Sequence, residues 1–408
     1  MKNNNPHLSY ETLFVHAGEK PDPLTGAVAP PLIRTKTYKQ SEFGKKAQWE
    51  YARGQNPTRH ILQEKLAAIE GGGNAIACAS GLAAEALFFL TLAPGDHLVL
   101  PHEVYGGTLR LLKTVFTKYG ISFTQTDFTT RESILKAVTT KTKYLFMEAL
   151  TNPSLTPIDL ALVQSVSRET GIPFIADMTF TPPCTTRAFD YGAYAVIQSI
   201  SKYLAGHNDV LGGAVITRDL QLYEKLSLLQ RTVGPVLSPD ECYRAIQGIK
   251  TLELRWRRVS ESALKVASFL ETHSLVKRVL YPGLTSHKDR EIASKQMRSG
   301  YGGVISFELA SSPFDDLKAF IDEVQKQGVI TYGESLASPE TLLAYPFTMS
   351  HGSLSPEEKC SLGISPTFFR LSIGFEAPED IIAELERGLH ILSALKSKEA
   401  YVLQRGAA

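Results

Sequence analysis

Short apolar segments alternate with helical segments between about residue 56 and residue 250. The apolar segments with the length and composition of strands are Ala75–Ala79, His97–Leu100, Ser122–Thr126, Tyr144–Glu148, Pro173–Asp177, Ala195–Ser199 and Gly213–Thr217. The helices predicted between them include Arg59–Glu70, Leu82–Thr91 and Leu160–Thr170. This alternation is typical of a mainly parallel sheet with helices on both faces, so the predicted fold class is α/β.

The pattern changes near Lys250, and three regions are predicted. Residues 1–55 are rich in Pro, Gly and Thr and show little periodicity, which predicts an extended arm. Residues 56–250 would form the large α/β domain. Residues 251–408 would form a smaller α+β domain, with predicted elements Leu252–Glu271, Gly303–Leu309, Phe314–Lys326, Phe369–Ile373 and Pro378–Ala394.

The composition argues against several classes of protein. Lys plus Arg total 43 against 42 for Asp plus Glu, so no charge excess favours nucleic acid or an anionic membrane as a partner. The four cysteines form no CxxC pair, which argues against a metal site or a disulfide framework and favours a cytoplasmic location. The amino terminus has no apolar core, so we expect no signal peptide.

The longest apolar run covers residues 75–94, a length close to that of a membrane span. Ser80 and Gly81 divide this run, and Glu85 lies inside it. A strand, a tight turn and a helix explain the pattern better than a membrane span does.

Lys202 stands where a covalently bound cofactor is possible. It follows the predicted strand Ala195–Ser199 within the sequence Ser199-x-Ser201-Lys202. Open α/β sheets bind ligands at the carboxyl ends of their strands. An amine there can form a Schiff base with an aldehyde cofactor, and the two hydroxyls can hold a phosphate. The alternative is a solvated surface lysine, since most lysines are exposed.

Asp177 ends the predicted strand before Lys202, 25 residues earlier in the chain. If the two strands are neighbours, a carboxylate and an amine share one edge of the sheet. A pyridine cofactor needs both groups, because the carboxylate keeps the ring nitrogen protonated as an electron sink. A capping or turn aspartate is the alternative.

Three further positions are candidates for binding. Ser80-Gly81-Leu82 lies where a strand passes into a helix, and free N–H groups at a helix start can bind a phosphate. Tyr105 could stack on a planar cofactor. Arg370 enters an apolar strand, where its guanidinium could bind a substrate carboxylate in a bidentate manner. The alternatives are an ordinary glycine turn, an exposed loop tyrosine and a structural salt bridge.

Several motifs carry a resemblance to a known family. They are Tyr51-x-Arg53-x-x-Asn56-Pro57, Ala79-Ser80-Gly81-Leu82, Tyr105-Gly106-Gly107-Thr108, Glu148-x-x-x-Asn152-Pro153, Asp177-x-Thr179, Ser199-x-Ser201-Lys202, Glu334-Ser335-Leu336 and Arg370-Leu371-Ser372. In this combination the chain resembles the cysteine/methionine-metabolism branch of pyridoxal 5'-phosphate (PLP) enzymes. That branch includes cystathionine γ-synthases, γ-lyases and β-lyases, methionine γ-lyases and O-acylhomoserine sulfhydrylases.

The resemblance implies an aminotransferase-like (fold type I) large domain that binds PLP, and roles for individual residues. Lys202, Asp177 and Tyr105 would be the catalytic residues. The implied cofactor-binding set is Tyr51, Arg53, Ser80, Gly81, Leu82, Tyr105, Asp177, Thr179, Ser199, Ser201 and Lys202. The implied substrate-binding set is Asn152, Glu334, Ser335 and Arg370. The resemblance also implies that Tyr51 and Arg53 reach the site of a neighbouring subunit, in a homodimer that doubles to a homotetramer.

The chain departs from the family pattern at three places. Ser201 stands where threonine is usual, Met178 replaces a common asparagine, and Ala337-Ser338 replaces a Gly-Gly pair. Ser201 preserves the hydroxyl of threonine. Met178 changes the hydrogen bonding expected beside Asp177, and Ala337-Ser338 changes the expected shape of the substrate pocket.

Three residues narrow the choice among the reactions that this family catalyses. Methionine γ-lyases carry a cysteine where Gly107 stands and lack the acid at Glu334, whereas cystathionine γ-synthases and γ-lyases usually have Glu334 and also Glu50. A cystathionine γ-lyase is therefore expected, with cystathionine γ-synthase, cystathionine β-lyase and methionine γ-lyase as alternatives. A catalytically silent PLP-fold interaction protein is an alternative of another class. A nicotinamide dehydrogenase is disfavoured because Gly71-Gly72-Gly73 precedes its strand rather than following it.

Overall fold

The computed structural model describes residues 8–310, 312–352 and 354–406. The described chain divides into two compact units. The first unit comprises residues 8–151, 158–254 and 296–299, and the second unit comprises residues 152–157, 255–295 and 300–406. The domain boundaries predicted at residues 55 and 250 stay predictions.

The first unit contains a sheet of seven strands. The strands are β1 (Asn74–Cys78), β2 (His97–Pro101), β3 (Ser122–Thr126), β4 (Thr142–Glu148), β5 (Phe174–Asp177), β6 (Ala195–Gln198) and β7 (Gly213–Thr217). Their order is β1-β7-β6-β5-β4-β2-β3. The pairs from β6 to β3 are parallel, and β7 runs antiparallel to both β1 and β6.

The central strands are buried on both faces, as their continuous apolar sequences predict. The helices of the first unit are α1 (Tyr10–His16), α2 (Pro57–Ile69), α3 (Gly81–Phe89), α4 (Gly106–Thr114), α5 (Arg131–Ala137), α6 (Leu160–Thr170), α7 (Leu220–Val233) and α8 (Pro239–Lys250). Side-chain caps fix where several of them begin, for example Asn56 before α2 and Asp159 before α6. The predicted α/β class is confirmed.

The predicted extended arm contains a helix, α1, so the prediction is wrong for Tyr10–His16. Lys65 on α2 is fully buried, and its Nζ donates to the carbonyls of Phe14 at 2.8 Å and Val15 at 3.2 Å. The same Nζ lies 2.9 Å from an oxygen of Glu19. A helix this short is marginal on its own, so these tertiary contacts stabilise it and the local pattern does not reveal it.

The second unit contains a five-stranded sheet in the order β10-β11-β12-β9-β8. Its strands are β8 (Val276–Leu280), β9 (Val304–Leu309), β10 (Ile330–Tyr332), β11 (Thr341–Ala344) and β12 (Phe368–Ser372). Helix α9 (Leu252–Thr272) begins in the first unit, and helix α10 (Arg290–Gln296) ends there. The other helices of the second unit are α11 (Phe314–Val324), α12 (Pro356–Ser361) and α13 (Pro378–Gly406).

The core of the second unit lies between its sheet and its helices. Phe307, Phe320 and Phe369 are buried there, and the ring centroids of Phe320 and Phe369 lie 5.5 Å apart. The predicted strands and helices of this region are present, and α13 extends beyond the predicted end at Ala394. The mixture of a largely antiparallel sheet with helices agrees with the predicted α+β character.

Among the described residues, no helix is both long enough and apolar enough to cross a membrane. The apolar run at residues 75–94 instead forms β1, a turn and α3.

One buried acid makes the stability of the first unit depend on pH. Glu70 follows α2 and is 1% exposed, and its Oε1 accepts a hydrogen bond of 2.7 Å from Nε2 of Gln198 at the end of β6. Burial raises the pKa of Glu70 from 4.5 to about 7. The folded protein therefore holds a proton that the unfolded chain releases between these values, and the stability falls as the pH rises through them.

We expect Glu70→Gln to reduce this pH dependence. When the pH rises from about 5 to about 8, the free energy of unfolding of the unmodified protein should fall by about 2 kcal/mol more than that of the variant. Urea unfolding at both pH values measures this difference. The exposed Glu224 on α7 supplies the control, because Glu224→Gln should leave the pH dependence unchanged. Equal behaviour of the two variants would show that Glu70 is ionised in the folded protein.

Candidate active site

The carboxyl ends of three parallel strands meet at one edge of the first unit's sheet. In the hydrogen-bonded register, Glu148 at the end of β4 is paired with Asp177 at the end of β5. Asp177 is in turn paired with Ile197 on β6, and Lys202 follows that strand by four residues. The strand that ends at Asp177 and the strand that precedes Lys202 are therefore neighbours, as a shared site at this edge requires.

Thr179 links Asp177 to the segment that leads to Lys202. The N–H of Thr179 donates to Oδ1 of Asp177 at 2.8 Å. The hydroxyl of Thr179 accepts a hydrogen bond of 2.8 Å from the N–H of Ser199. This pair of contacts holds the ends of β5 and β6 together, so the carboxylate of Asp177 has a fixed place beside the turn that carries the lysine.

Three carboxyl groups lie near this edge, and the ionisation of one of them disfavours the ionisation of the others. Burial raises the pKa of Glu85 and of Glu148 well above their ordinary values, and the charge of Asp177 raises both further. Removal from water also raises the pKa of Asp177, but hydrogen bonds from the hydroxyl and the N–H of Thr179 oppose that rise. Asp177 is thus the carboxyl group best supported as an anion.

The turn between β1 and α3 forms a small cradle. The hydroxyl of Ser80 accepts from the N–H of Ala83 at 3.0 Å and so caps α3. A Cβ on Gly81 would lie 3.0 Å from Cβ of Ser199, and a Cβ on Gly213 would lie 2.1 Å from the carbonyl oxygen of Ser80. Both glycines are needed for this close approach. It leaves the first N–H groups of α3 next to the Ser199 side chain, where they have no partner within the helix.

The two serines before Lys202 have different surroundings. Ser199 lies beside the cradle, whereas the hydroxyl of Ser201 donates to the carbonyl of Gly212 at 3.1 Å and accepts from its N–H at 2.9 Å. Lys202 is half-buried in a turn, with its N–H donating to the carbonyl of Ser199 at 3.2 Å. Ser201 therefore fixes the connection between β6 and β7.

Tyr105 precedes α4, and its backbone and its ring are both held in place. Its N–H donates to Oε1 of Glu148 at 2.5 Å. A Cβ on Gly107 would lie 2.4 Å from the Tyr105 ring, so glycine at that position leaves room for the ring to fold back over its own helix. The ring stays 38% exposed and is therefore accessible for stacking.

Tyr51 and Arg53 line a cavity of about 180 Å³ in the first unit, together with Glu50 and Arg231. The guanidinium of Arg53 lies 5.7 Å from the centre of the Tyr51 ring, and its Nη1 donates to the carbonyl of Arg231 at 2.5 Å. Both side chains are exposed, at 47% for Tyr51. An aromatic ring beside basic groups can bind an anionic ligand.

The second unit holds a separate arginine cluster. Arg370 on β12 is 4% exposed; its Nη1 donates to Oδ1 of Asn152 and its Nη2 donates to the carbonyl of Ser335, both at 2.9 Å. These two acceptors are neutral, so they orient the guanidinium without cancelling its charge. Three of the predicted substrate-binding residues are thereby in contact, and the fourth, Glu334, is exposed.

His351 also belongs to this cluster, although it was not among the residues predicted from the sequence. His351 is fully buried, and its Nδ1 lies 2.9 Å from the hydroxyl of Ser350. Burial, together with the positive charge of Arg370, lowers the pKa of His351 to about 4. A lone histidine in a loop gives no sequence signal of such a contact.

The loop before β11 contains strained backbone. Ser335 has a φ of 95°, and Ala337 has a φ of 64°. Ala337 stands where the family pattern has a glycine, and a left-handed conformation costs an alanine about 1 kcal/mol. A hydrogen bond of 2.9 Å from its N–H to the hydroxyl of Ser372 helps to hold it. The substitution thus keeps the conformation of a glycine at an energetic cost.

The first unit fits the cofactor that the sequence predicts. The cradle at Gly81 and Ser199 has backbone N–H groups and a hydroxyl that can donate to a phosphate. Asp177 offers a supported carboxylate, and Lys202 offers an amine on the neighbouring strand. Glu85 and Glu148 were not among the predicted site residues, although an acid inside the apolar run at residues 75–94 was a signal for Glu85.

Comparisons with known proteins show which family the chain belongs to. Residues 11–390 match the family described as Cys/Met metabolism PLP-dependent enzyme. A cystathionine beta-lyase of Coxiella burnetii is 41% identical over 389 residues, which cover 95% of this chain and 99% of that protein. A cystathionine gamma-lyase of Bacillus subtilis is 38% identical over 94% of this chain and 99% of its own length.

A solved structure shows the same fold. The cystathionine gamma synthase of Xanthomonas oryzae pv. oryzae, in complex with aminoacrylate and cysteine, superposes with a TM-score of 0.91 at 35% identity. The match covers 95% of this chain and 99% of that one. The predicted PLP-enzyme fold is therefore confirmed, and the chain belongs to the Cys/Met-metabolism family of PLP-dependent enzymes.

Proposed function

We propose that the protein is a carbon–sulfur lyase of trans-sulfuration that cleaves cystathionine at its γ carbon. Its relatives include lyases and synthases named for cystathionine, which supports the substrate. Glu334 and Glu50, which the family pattern associates with γ-reactions, support the choice of carbon. The observation that carries the proposal is the sheet edge where Asp177, Thr179 and Ser199 are hydrogen-bonded beside the turn of Lys202.

In this proposal Lys202 binds the cofactor covalently and afterwards moves protons at the substrate. Bound PLP supplies an electron sink for the carbanion that forms when a proton leaves the substrate. Asp177 keeps the ring nitrogen protonated, since Thr179 supports its negative charge. Tyr105 stacks on the ring and carries a proton. The phosphate is held by Ser80, Gly81, Leu82, Ser199 and Ser201.

Arg370 is proposed to bind the α-carboxylate of the substrate through its planar fork. Asn152 and Ser335 hold that fork in place through the two contacts of 2.9 Å, and the amide of Asn152 adds a donor for the carboxylate. Glu334 is proposed to attract the distal ammonium group of cystathionine.

Cleavage at the β carbon is the second candidate. It is favoured by the 41% identity to a cystathionine beta-lyase, which exceeds the 38% identity to the gamma-lyase of Bacillus subtilis. Cystathionine γ-synthase, which joins an acylhomoserine to cysteine, remains a third reaction with the same residues.

The products formed from cystathionine separate these candidates. The γ-lyase should release cysteine, 2-oxobutyrate and ammonia, whereas a β-lyase releases homocysteine, pyruvate and ammonia. A synthase should instead form cystathionine from O-succinylhomoserine and cysteine faster than it cleaves cystathionine. We expect 2-oxobutyrate to be the main oxo acid from the PLP-loaded enzyme, as measured by chromatography. Pyruvate as the main oxo acid would replace γ with β in the proposal.

Glu334→Gln tests the proposed recognition of the distal ammonium group. Loss of one charge-assisted contact should lower kcat/KM for cystathionine by about tenfold to a hundredfold. Substrates without that ammonium should be little affected. Glu340 is exposed in the same loop, so Glu340→Gln is the control and should leave both rates unchanged. Equal losses on both classes of substrate would show that Glu334 is structural.

We also propose that the active site is shared between subunits of a homodimer that doubles to a tetramer. Tyr51 and Arg53 are exposed and form an aromatic and basic cavity wall, which suits the phosphate of a cofactor bound by a neighbouring subunit.

We further propose that the enzyme is located in the cytoplasm. This location fits its four cysteines, because none of them forms a disulfide.

Mixed subunits test this sharing. A dimer of one Tyr51→Ala subunit and one Lys202→Ala subunit has one complete site if the sites are shared, so mixing the two inactive variants should restore part of the activity. Mixing Asp177→Ala with Lys202→Ala is the control, because both residues are proposed to serve the same subunit's site. Without recovery in the first mixture, the shared site is refuted.

A further inference from the structure

We propose that Glu148 is a positioning residue for Tyr105, and that it acts as a neutral acid beside the charged Asp177. The inference rests on the proposed function, since it assumes that Tyr105 stacks on the ring of bound PLP. Glu148 is assigned no part in binding the cofactor directly.

The contact with Tyr105 is direct. Oε1 of Glu148 accepts the N–H of Tyr105 at 2.5 Å, and Glu148 is 6% exposed. Tyr105 is the last residue before α4, so this contact fixes the point from which its side chain departs. The ring itself has room only because position 107 is a glycine. Glu148 therefore positions the backbone from which the Tyr105 ring extends.

The neighbours of Glu148 are acidic. Asp177 lies opposite it in the register of β4 and β5. Glu85 on α3 and Glu103 after β2 add negative charge from two other elements. Two ionised carboxylates in adjacent register would repel each other strongly in so little water, so one of the pair has to be protonated.

Hydrogen bonds decide which of the two is protonated. Asp177 accepts hydrogen bonds from the N–H and the hydroxyl of Thr179, which favour its charged form. Glu148 accepts one hydrogen bond from Tyr105, and burial together with Asp177 raises its pKa well above the ordinary value. The division of roles follows: Asp177 carries the charge, and Glu148 holds the tyrosine without competing for it.

The experiment compares Glu148→Gln with Glu148→Ala by measuring the dissociation constant of PLP from the visible absorption of the titrated protein. A glutamine keeps a neutral acceptor for the Tyr105 N–H, so Glu148→Gln should bind PLP within about twofold of the unmodified protein. Glu148→Ala removes the acceptor and should weaken PLP binding by about tenfold. The control is Glu103→Ala, which removes a nearby acid whose Oε2 accepts a hydrogen bond of 2.8 Å from the hydroxyl of Thr151, and it should leave the constant unchanged.

The PLP dissociation constants of the Glu148 variants test the neutral-acid role and the positioning role separately. Glu148→Gln binding as weakly as Glu148→Ala would overturn the neutral-acid role, because it would show that the charge is required. Unchanged binding by Glu148→Ala would overturn the positioning role. Should Glu148→Ala fail to fold, Glu148→Asp, which is one methylene shorter, should show the same loss of affinity. Failure of the unmodified protein to bind PLP would refute the proposed function instead.

Discussion

The register of three parallel strands is the constraint on which the candidate active site depends. Side chains alternate between the two faces of a sheet, so a slip of one residue would turn Asp177 into the opposite helix layer. The pairing of Glu148 with Asp177, and of Asp177 with Ile197, prevents this. The hydrogen bonds of Thr179 with Asp177 and with Ser199 help to hold the ends of β5 and β6 in that register. The chemistry of the edge then follows from the residues at the strand ends.

The distribution of protons among buried acids is the second physical problem of this edge. Three acids near the ends of β4 and β5 have raised pKa values because burial disfavours their charged forms: Glu85, Glu148 and Asp177. Only a carboxyl group with supporting donors can hold a charge there at moderate cost. Thr179 gives that support to Asp177 and binds Ser199 at the same time. Through these two contacts Thr179 fixes the position of the Asp177 carboxylate relative to the turn that contains Lys202.

Much of this edge could be predicted from the sequence, because it depends on strand order and on local turns. Lys202 and Asp177 end two apolar segments that proved to be neighbours, and Gly81 opens a helix after a strand. The contacts of Glu148, His351 and Lys65 could not be predicted, since each depends on a partner distant in the chain. Ser201 shows a similar limit: its part in phosphate binding stays a prediction, and the hydrogen bonds between its hydroxyl and Gly212 could not be predicted from the pattern.

The central claim is that Lys202, beside Asp177, carries the cofactor. Borohydride reduction of the PLP-loaded protein, followed by digestion and mass spectrometry, tests it most directly. We expect a pyridoxyl group on the peptide that contains Lys202, and none after substitution of Lys202 by alanine. A pyridoxyl group on another lysine of the unmodified protein would contradict it.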